Sequence, residues 1–328
     1  MIEGKRFLVT GAAGFIGSHL VQALVQRGAN VRAMVRYTSS SSLGNLAFLP
    51  KEMTGALDVT AGNIEDSDFV LRAMEGVDVV LHLAALIAIP YSYLAPRSYV
   101  RTNVEGTLNV LEAARRLGTQ RVVHTSTSEV YGTARRIPID EEHPLQGQSP
   151  YSASKIGADK VAESYYRSFA TPVVTLRPFN TFGPRQSARA FIPTIISQAL
   201  DNGEVSLGSL EPERDMTFVD DTVEGFIRAA LRPGVEGETI NLGVGSAHTV
   251  GEIARRILAH MGVDRPIRLD PRRVRPAASE VMKLVSDNTK ARRLLGWEPL
   301  VSLDDGLQRT IAFVSENRGY YRPAVYAV

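Results

Sequence analysis

Through the first half of the chain, short apolar runs alternate with longer amphipathic segments. That alternation marks β-α-β units and a parallel sheet. The runs predict strands at Arg6–Thr10, Val31–Val35, Ala56–Thr60, Val77–Leu83, Arg121–Thr125 and Pro172–Leu176. Helices are expected over Phe15–Arg27, ended by Gly28, over Pro96–Leu117, stopped by Gly118, and over Tyr151–Phe169. Thr38–Ser42 (TSSSS) reads as a loop. After Arg177 the rhythm breaks into pieces punctuated by Pro and Gly, RPFNTFGPR and SLGSLEPERD among them. Such pieces predict insertions that build a smaller second lobe over the sheet. Residues 1–178, with roughly 218–245, are expected to form the sheet domain, and 179–217 with 246–328 the lobe. Thr249-Val-Gly-Glu252 fits a capping box and Ser302-Leu-Asp-Asp305 a looser cap, so two helices are expected to start there.

Composition narrows the class. With 328 residues, 44% of them hydrophobic, the chain can bury a sizeable core. A formal net charge of +2 gives no argument for nucleic acid or an anionic membrane. Any acidic ligand must be caught by local arginines. There is no cysteine, which excludes disulfides, thiolate catalysis and zinc–sulfur sites. Six histidines without HExxH-type spacing argue against a protein-bound metal. The opening MIEGKRFLVTGAAGF lacks the long apolar core of a signal peptide. The longest apolar stretch, Leu81–Pro90, is far short of the roughly 20 residues of a spanning helix. A soluble cytoplasmic protein without a membrane partner is expected.

Gly11, Gly14 and Gly17 of TGAAGFIGS sit between the first strand and its helix. In that context Gly11 permits the tight turn, Gly14 lets the backbone approach a pyrophosphate, and Gly17 lets helix and strand pack closely. The helix N-terminus then offers free N–H groups to a diphosphate. At the end of the second strand, where NAD-binding sheets carry an acid for the ribose, stands Arg36, followed by Ser39–Ser42. An arginine there suits the 2′-phosphate of NADP, although one stacked on adenine would tolerate NAD.

Tyr151-Ser-Ala-Ser-Lys155 opens the helix after the fifth strand, 140 residues beyond Gly11. Residues four apart share a helix face, so the ammonium can lie near the phenol. A cation there is expected to lower the tyrosine pKa and make it a base near neutral pH.

With these residues the chain resembles the extended short-chain dehydrogenase/reductases over nearly its whole length. TGAAGFIGS, HLAA (His82–Ala85), RTNVEGT (Arg101–Thr107), YSASK, RPFNTFGPR (Arg177–Arg185), RDMTFVDD (Arg214–Asp221) and LGWEP (Leu295–Pro299) occur in that family's order. The resemblance implies an α/β fold, a Rossmann-type doubly wound parallel sheet with a smaller C-terminal lobe that binds a nucleotide-sugar. It also implies that Tyr151 and Lys155 are catalytic, with Thr127 assisting the sugar hydroxyl. Phe15, Ile16, Asn63, Ile64, Leu83, Ala84, Ala85, Asn103, Thr125 and Pro178 would join the glycines, Arg36, Tyr151 and Lys155 around a tightly bound, recycled NADP or NAD. A homodimer through a four-helix bundle is implied by the helices corresponding to Pro96–Leu117 and Tyr151–Phe169.

Ser126-Thr-Ser-Glu-Val-Tyr131 decides which reaction is expected. Simple 4-epimerases of the family resemble SSxxVYG here, without an acid. Glu129 resembles the glutamate with which 4,6-dehydratases remove the sugar's C5 proton, while Ser128 replaces the aspartate of the dTDP-glucose enzymes. UDP-glucuronate decarboxylases also carry TSEVYG, so decarboxylation and epimerisation stay open beside dehydration. Longer stretches, Thr125–Lys160 and Arg275–Ala291 among them, are similar to bacterial GDP-N-acetylglucosamine 4,6-dehydratases of legionaminic-acid biosynthesis. GDP and the amino sugar are implied by that similarity alone.

In the lobe, arginine forks suit a diphosphate. Arg185, Arg214 and Arg275 are the candidates, with Asn180 on the diphosphate or sugar and Tyr91 beside the sugar. Arg272, Arg273 and Arg275 read equally well as a solvated basic loop. Trp297 is expected to anchor the lobe.

Overall fold

The computed structural model describes residues 2–201 and 203–321, so the last seven residues of the expected lobe lie outside the described part. Seven parallel strands form one sheet: β1 (Arg6–Thr10), β2 (Asn30–Arg36), β3 (Asp58–Gly62), β4 (Val79–His82), β5 (Arg121–Thr125), β6 (Val173–Pro178) and β7 (Thr239–Leu242). Their order is β7-β6-β5-β4-β1-β2-β3. Strand order reverses between β1 and β4, where Thr10 lies opposite His82. A crevice at the carboxyl ends of the strands is the ligand position of such sheets.

Both faces of this sheet are covered, which is why its strands read as continuous apolar runs. Phe7, Val9, Leu81, Val123 and Val174 face one core, and Leu8, Val80, Val122 and Val173 face the other. The helices used below are α1 (Phe15–Gln26), α2 (Ser67–Met74), α3 (Ile89–Leu94), α4 (Gly106–Leu117), α5 (Pro150–Phe169), α6 (Phe191–Leu200), α7 (Val219–Leu231), α8 (Val250–Met261) and α9 (Leu303–Glu316). Among the described residues no helix is long and apolar enough to cross a membrane.

Two expectations need correction. The third strand starts two residues later than Ala56, because Lys51–Gly55 forms a short helix ahead of it. The expected helix Pro96–Leu117 is interrupted: Pro96–Tyr99 is one turn, Val100–Glu105 is a π-helix, and α4 follows. Ile89–Leu94 is a separate helix, ended by the extended turn at Ala95.

Beyond β6 only β7 extends the large sheet, and the other strands make small sheets. Asn180–Phe182 pairs with Met216–Phe218, and Glu213–Arg214 lies between His248–Thr249 and Lys283–Leu284. The expected caps are present. Thr249 Oγ1 accepts from the Glu252 amide at 3.0 Å while the Glu252 carboxylate accepts from the Thr249 amide, and Ser302 Oγ accepts from the Asp305 amide. Trp297 is fully buried and donates its indole N–H to the Asp221 carbonyl at 2.8 Å. The Asp221 carboxylate in turn accepts the Leu300 and Val301 amides.

Candidate active site

At the end of β1 the chain turns through Gly11, whose φ of +69° is left-handed. A Cβ there would lie 2.9 Å from the Ala84 amide nitrogen, so Leu83 and Ala84 line the turn and only glycine fits. At Gly17 a Cβ would come 2.3 Å from the Gly11 carbonyl, which explains a glycine on the first turn of α1. Gly14 caps α1, no side chain takes its first amides, and Phe15 and Ile16 open the helix. This is a donor set that fits a diphosphate, as the motif predicted. Thr10 Oγ1 accepts the Leu83 and Ala84 amides and so donates to His82 Nδ1 at 2.9 Å. Burial holds His82 neutral, and its Nε2–H donates to Thr107.

Arg36 emerges exposed at the end of β2, opposite Gly62 of β3. It has no hydrogen-bond or ion-pair partner among the described residues. Asn63 follows Gly62, exposed, with its side-chain oxygen accepting from the Glu65 amide. Ile64 is buried beneath it. Asn103 sits on the π-helix. It is fully buried, its amide donating to the Leu86 carbonyl and Ser154 Oγ and accepting from the Leu86 amide. It positions the π-helix against α5, whose Ser154 bonds the Tyr151 carbonyl.

Tyr151 and Lys155 stand on the inward face of α5, both buried. The lowered phenol expected from their spacing is not found: burial pushes Tyr151 above its ordinary value, and a hydrogen bond from Thr127 only offsets this in part. The Glu129 and Tyr99 charges push in the same direction as burial. Lys155 Nζ donates to the Thr125 carbonyl at 2.7 Å, and burial lowers it to about 8.

Asp159, one turn beyond Lys155, is a site residue that motif reading missed. It accepts from His124 Nε2 at 3.1 Å, Ser126 Oγ at 2.8 Å, and Arg177 Nε and Nη2 at 3.1 and 3.0 Å. Burial alone would raise its carboxyl, but the His124 hydrogen bond and the Arg177 charge outweigh it and hold the group at about 2. Arg177 also lies over the Tyr131 ring, and Tyr131 passes its proton toward Asn241. The i, i+4 relation of Lys155 and Asp159 on one helix was the available signal.

Above the phenol, Thr127 caps the short turn Ser128–Tyr131 by accepting the Glu129 amide at 3.2 Å. Its own hydroxyl is left for Tyr151. Ser128 is buried and Glu129 half-buried. The Glu129 carboxylate makes no ion pair among the described residues, yet both Tyr151 and Arg214 feel its charge. Arg214 is buried and donates to Glu280 at 2.9 Å, and Arg275 reaches the same carboxylate at 3.4 Å. Burial lowers the Arg214 pKa, with Glu129 and Glu280 opposing. Glu280 is the second residue not singled out, and it collects two of the three expected arginines.

Arg185 does not join them. Its guanidinium reaches back to Gln22 and to Ser18 on α1, with φ of +65° at its own backbone. It belongs to the dinucleotide side, because the RPFNTFGPR loop packs on α1, where His19 bonds the Pro184 carbonyl. Asn180 keeps a buried side-chain oxygen without a partner, as expected of a group reserved for a ligand. Tyr91 packs 6.2 Å from the Tyr99 ring, which meets Tyr151 edge-on at 6.2 Å. Tyr91 thus stands one ring away from the phenol. Pro178 ends β6 beside the site and Ala85 follows Ala84 at the mouth of the crevice. Tyr93 hydrogen-bonds Ser279 at 2.5 Å, tying α3 to the segment that carries Glu280.

Comparison with known proteins agrees with this geometry. Residues 8–310 match the family model described as GDP-mannose 4,6 dehydratase. The chain is 35% identical to the UDP-glucose 4-epimerase of Mycolicibacterium smegmatis, over 94% of this chain and 98% of that one. It is 34% identical to the dTDP-glucose 4,6-dehydratase of Streptomyces niveus, over 97% and 95%. The crystal structure of the dTDP-glucose 4,6-dehydratase of Streptomyces venezuelae with NAD bound superimposes with a TM-score of 0.89 at 34% identity, covering 97% of this chain and 99% of that one.

Proposed function

The chain belongs to the extended short-chain dehydrogenase/reductase family of nucleotide-sugar dehydratases and epimerases, and on that premise we propose that it is a 4,6-dehydratase acting on GDP-N-acetylglucosamine. The observation that carries dehydration is Glu129 on the turn after β5, half-buried, without an ion pair among the described residues, its charge felt by both Tyr151 and Arg214. The guanine and amino-sugar part rests on the similarity of Thr125–Lys160 and Arg275–Ala291 to the enzymes of that specificity.

Each residue has a defined task. Residues 179–217 and 246–328 hold the nucleotide-sugar, with Arg214 and Arg275 on the diphosphate and Asn180 beside it. Thr127 orients the 4-hydroxyl and Tyr151 takes its proton. A bound nicotinamide dinucleotide supplies a hydride acceptor, a hydride donor and a positive charge. The phenol raised by burial needs such a charge before it can act as a base. A keto group at C4 acidifies the neighbouring C5–H, and Glu129 removes that proton. Ser128 cannot donate a proton as a carboxylic acid does, so Glu129 also delivers it to the departing C6 hydroxyl, which leaves as water; C6 would then take back the hydride, and a proton from solvent refills C5. Arg36, unpartnered and exposed beside Gly62, favours NADP over NAD. Binding titrations with both dinucleotides test this, and tighter NAD would refute it. Leu108 on α4 and Phe169 on α5 are exposed, which supports a homodimer through these helices.

Incubation with a panel of nucleotide-sugars tests the whole reading. GDP-N-acetylglucosamine should yield a product lighter by one water, without net consumption of dinucleotide. The identity to a UDP-glucose 4-epimerase supports a second reading. A product of unchanged mass from a UDP-sugar, or loss of carbon dioxide from UDP-glucuronate, would replace the first.

A further inference from the structure

We propose that Asp159 is the positioning residue of this site: one carboxylate fixes the two residues that flank Thr125 and supplies the negative charge facing the Lys155 ammonium. Side chains two apart on a strand share a face. His124 on β5 and Ser126 just past its end both reach α5, and both end on Asp159, at 3.1 and 2.8 Å. Between them, the Thr125 carbonyl takes the Lys155 ammonium at 2.7 Å. Two residues one turn apart on α5 thus grip three successive residues at the end of β5. The next residues are Thr127, Ser128 and Glu129. Where β5 ends decides where the base and the hydroxyl donor stand relative to Tyr151.

The charges point the same way. Lys155 faces Asp159 on its own helix, His124 on β5 and His82 on β4. Both histidines are fully buried and lowered, so they are neutral. Glu129 acts on Tyr151 from the turn beyond β5, and Arg177 of β6 meets Asp159 from the far side. Asp159 is the group that raises Lys155 against burial. An asparagine would keep the shape and leave two cations, Lys155 and Arg177, without their anion. The ammonium exists below its pKa. Lowering that pKa removes it first at the alkaline end.

Reductive methylation of the full-length protein with formaldehyde and cyanoborohydride, read by peptide mass spectrometry across pH, follows the neutral amine of Lys155 and needs no substrate. The wild type should be half-labelled near pH 8. Asp159→Asn should move that midpoint down by at least about one unit, the effect of losing a nearby opposite charge. Coincident curves would overturn the proposal. Should Asp159→Asn not fold, Asp159→Glu keeps the charge and must keep the midpoint, and a midpoint that falls there overturns it equally. The consequence for turnover rests on the dehydratase reading: the alkaline limb of kcat should move with the labelling midpoint. A labelling shift without turnover of any nucleotide-sugar would support Asp159 and count against that reading alone.

Discussion

Two arginine–carboxylate clusters flank Tyr151, and they are built differently. Beneath it, Arg177 is buried and held by Asp159 of α5 and by Tyr131 of the turn after β5. Beside it, Arg214 and Arg275 share the one carboxylate of Glu280, while Glu129 waits nearby without an ion pair. The lower cluster is closed: removing a member leaves a buried charge, and no ligand is needed to satisfy it. The upper cluster holds cations that can still accept an anion and a carboxylate that can still accept a proton. A closed cluster tunes a site, and an open one meets the substrate.

The contrast breaks first at Glu129. Glu129→Gln should lower turnover by about a hundred- to ten-thousandfold, the range for a lost general base, and slow the entry of solvent deuterium at C5 to the same extent. Retained turnover would make Glu129 as structural as Asp159. Next, Arg177→Met should cost about 3–5 kcal/mol in urea unfolding, because Asp159 would remain buried without its main cation. A loss below about 1 kcal/mol would mean that the lower cluster is open after all. Smaller again, Arg275→Ala should raise KM for the nucleotide-sugar about tenfold with kcat nearly unchanged, as for one lost charged hydrogen bond. Equal losses in kcat and in stability would move Arg275 into the closed class.

The smallest effect is one of pH. His19 on α1 lies beside Arg185 and is lowered to about 4 by burial first and the Arg185 charge second. A base with a depressed folded-state pKa binds fewer protons folded than unfolded, so its contribution is complete above about 6.5 and lost as pH falls toward 4. His19→Gln should flatten the dependence of the urea midpoint on pH within that window. An unchanged slope would show that His19 is not held below its ordinary pKa in the folded protein.

Much of the site was legible because its signals are local. Gly11, Gly14 and Gly17 lie on one turn, Tyr151 and Lys155 on one helix face, and β5 was bounded to the residue. Glu129 follows β5 directly, so its place at the carboxyl edge of the sheet needed only the strand. Asp159 was legible in principle, by the same spacing that found Lys155. The π-helix at Val100–Glu105 was not, since the bonds of Asn103 to Leu86 and Ser154 come from distant parts of the chain.

Sequence by itself determined the doubly wound sheet, the phosphate-binding turn and the order of the chemical groups along β5 and α5, because each depends on residues within one or two turns of each other. Tertiary structure alone decided that Arg185 turns to α1 while Arg214 and Arg275 converge on Glu280, and that burial raises the Tyr151 phenol instead of letting Lys155 lower it. Those outcomes depend on packing and desolvation between segments far apart in the chain, and neither leaves a periodic trace in the residues themselves.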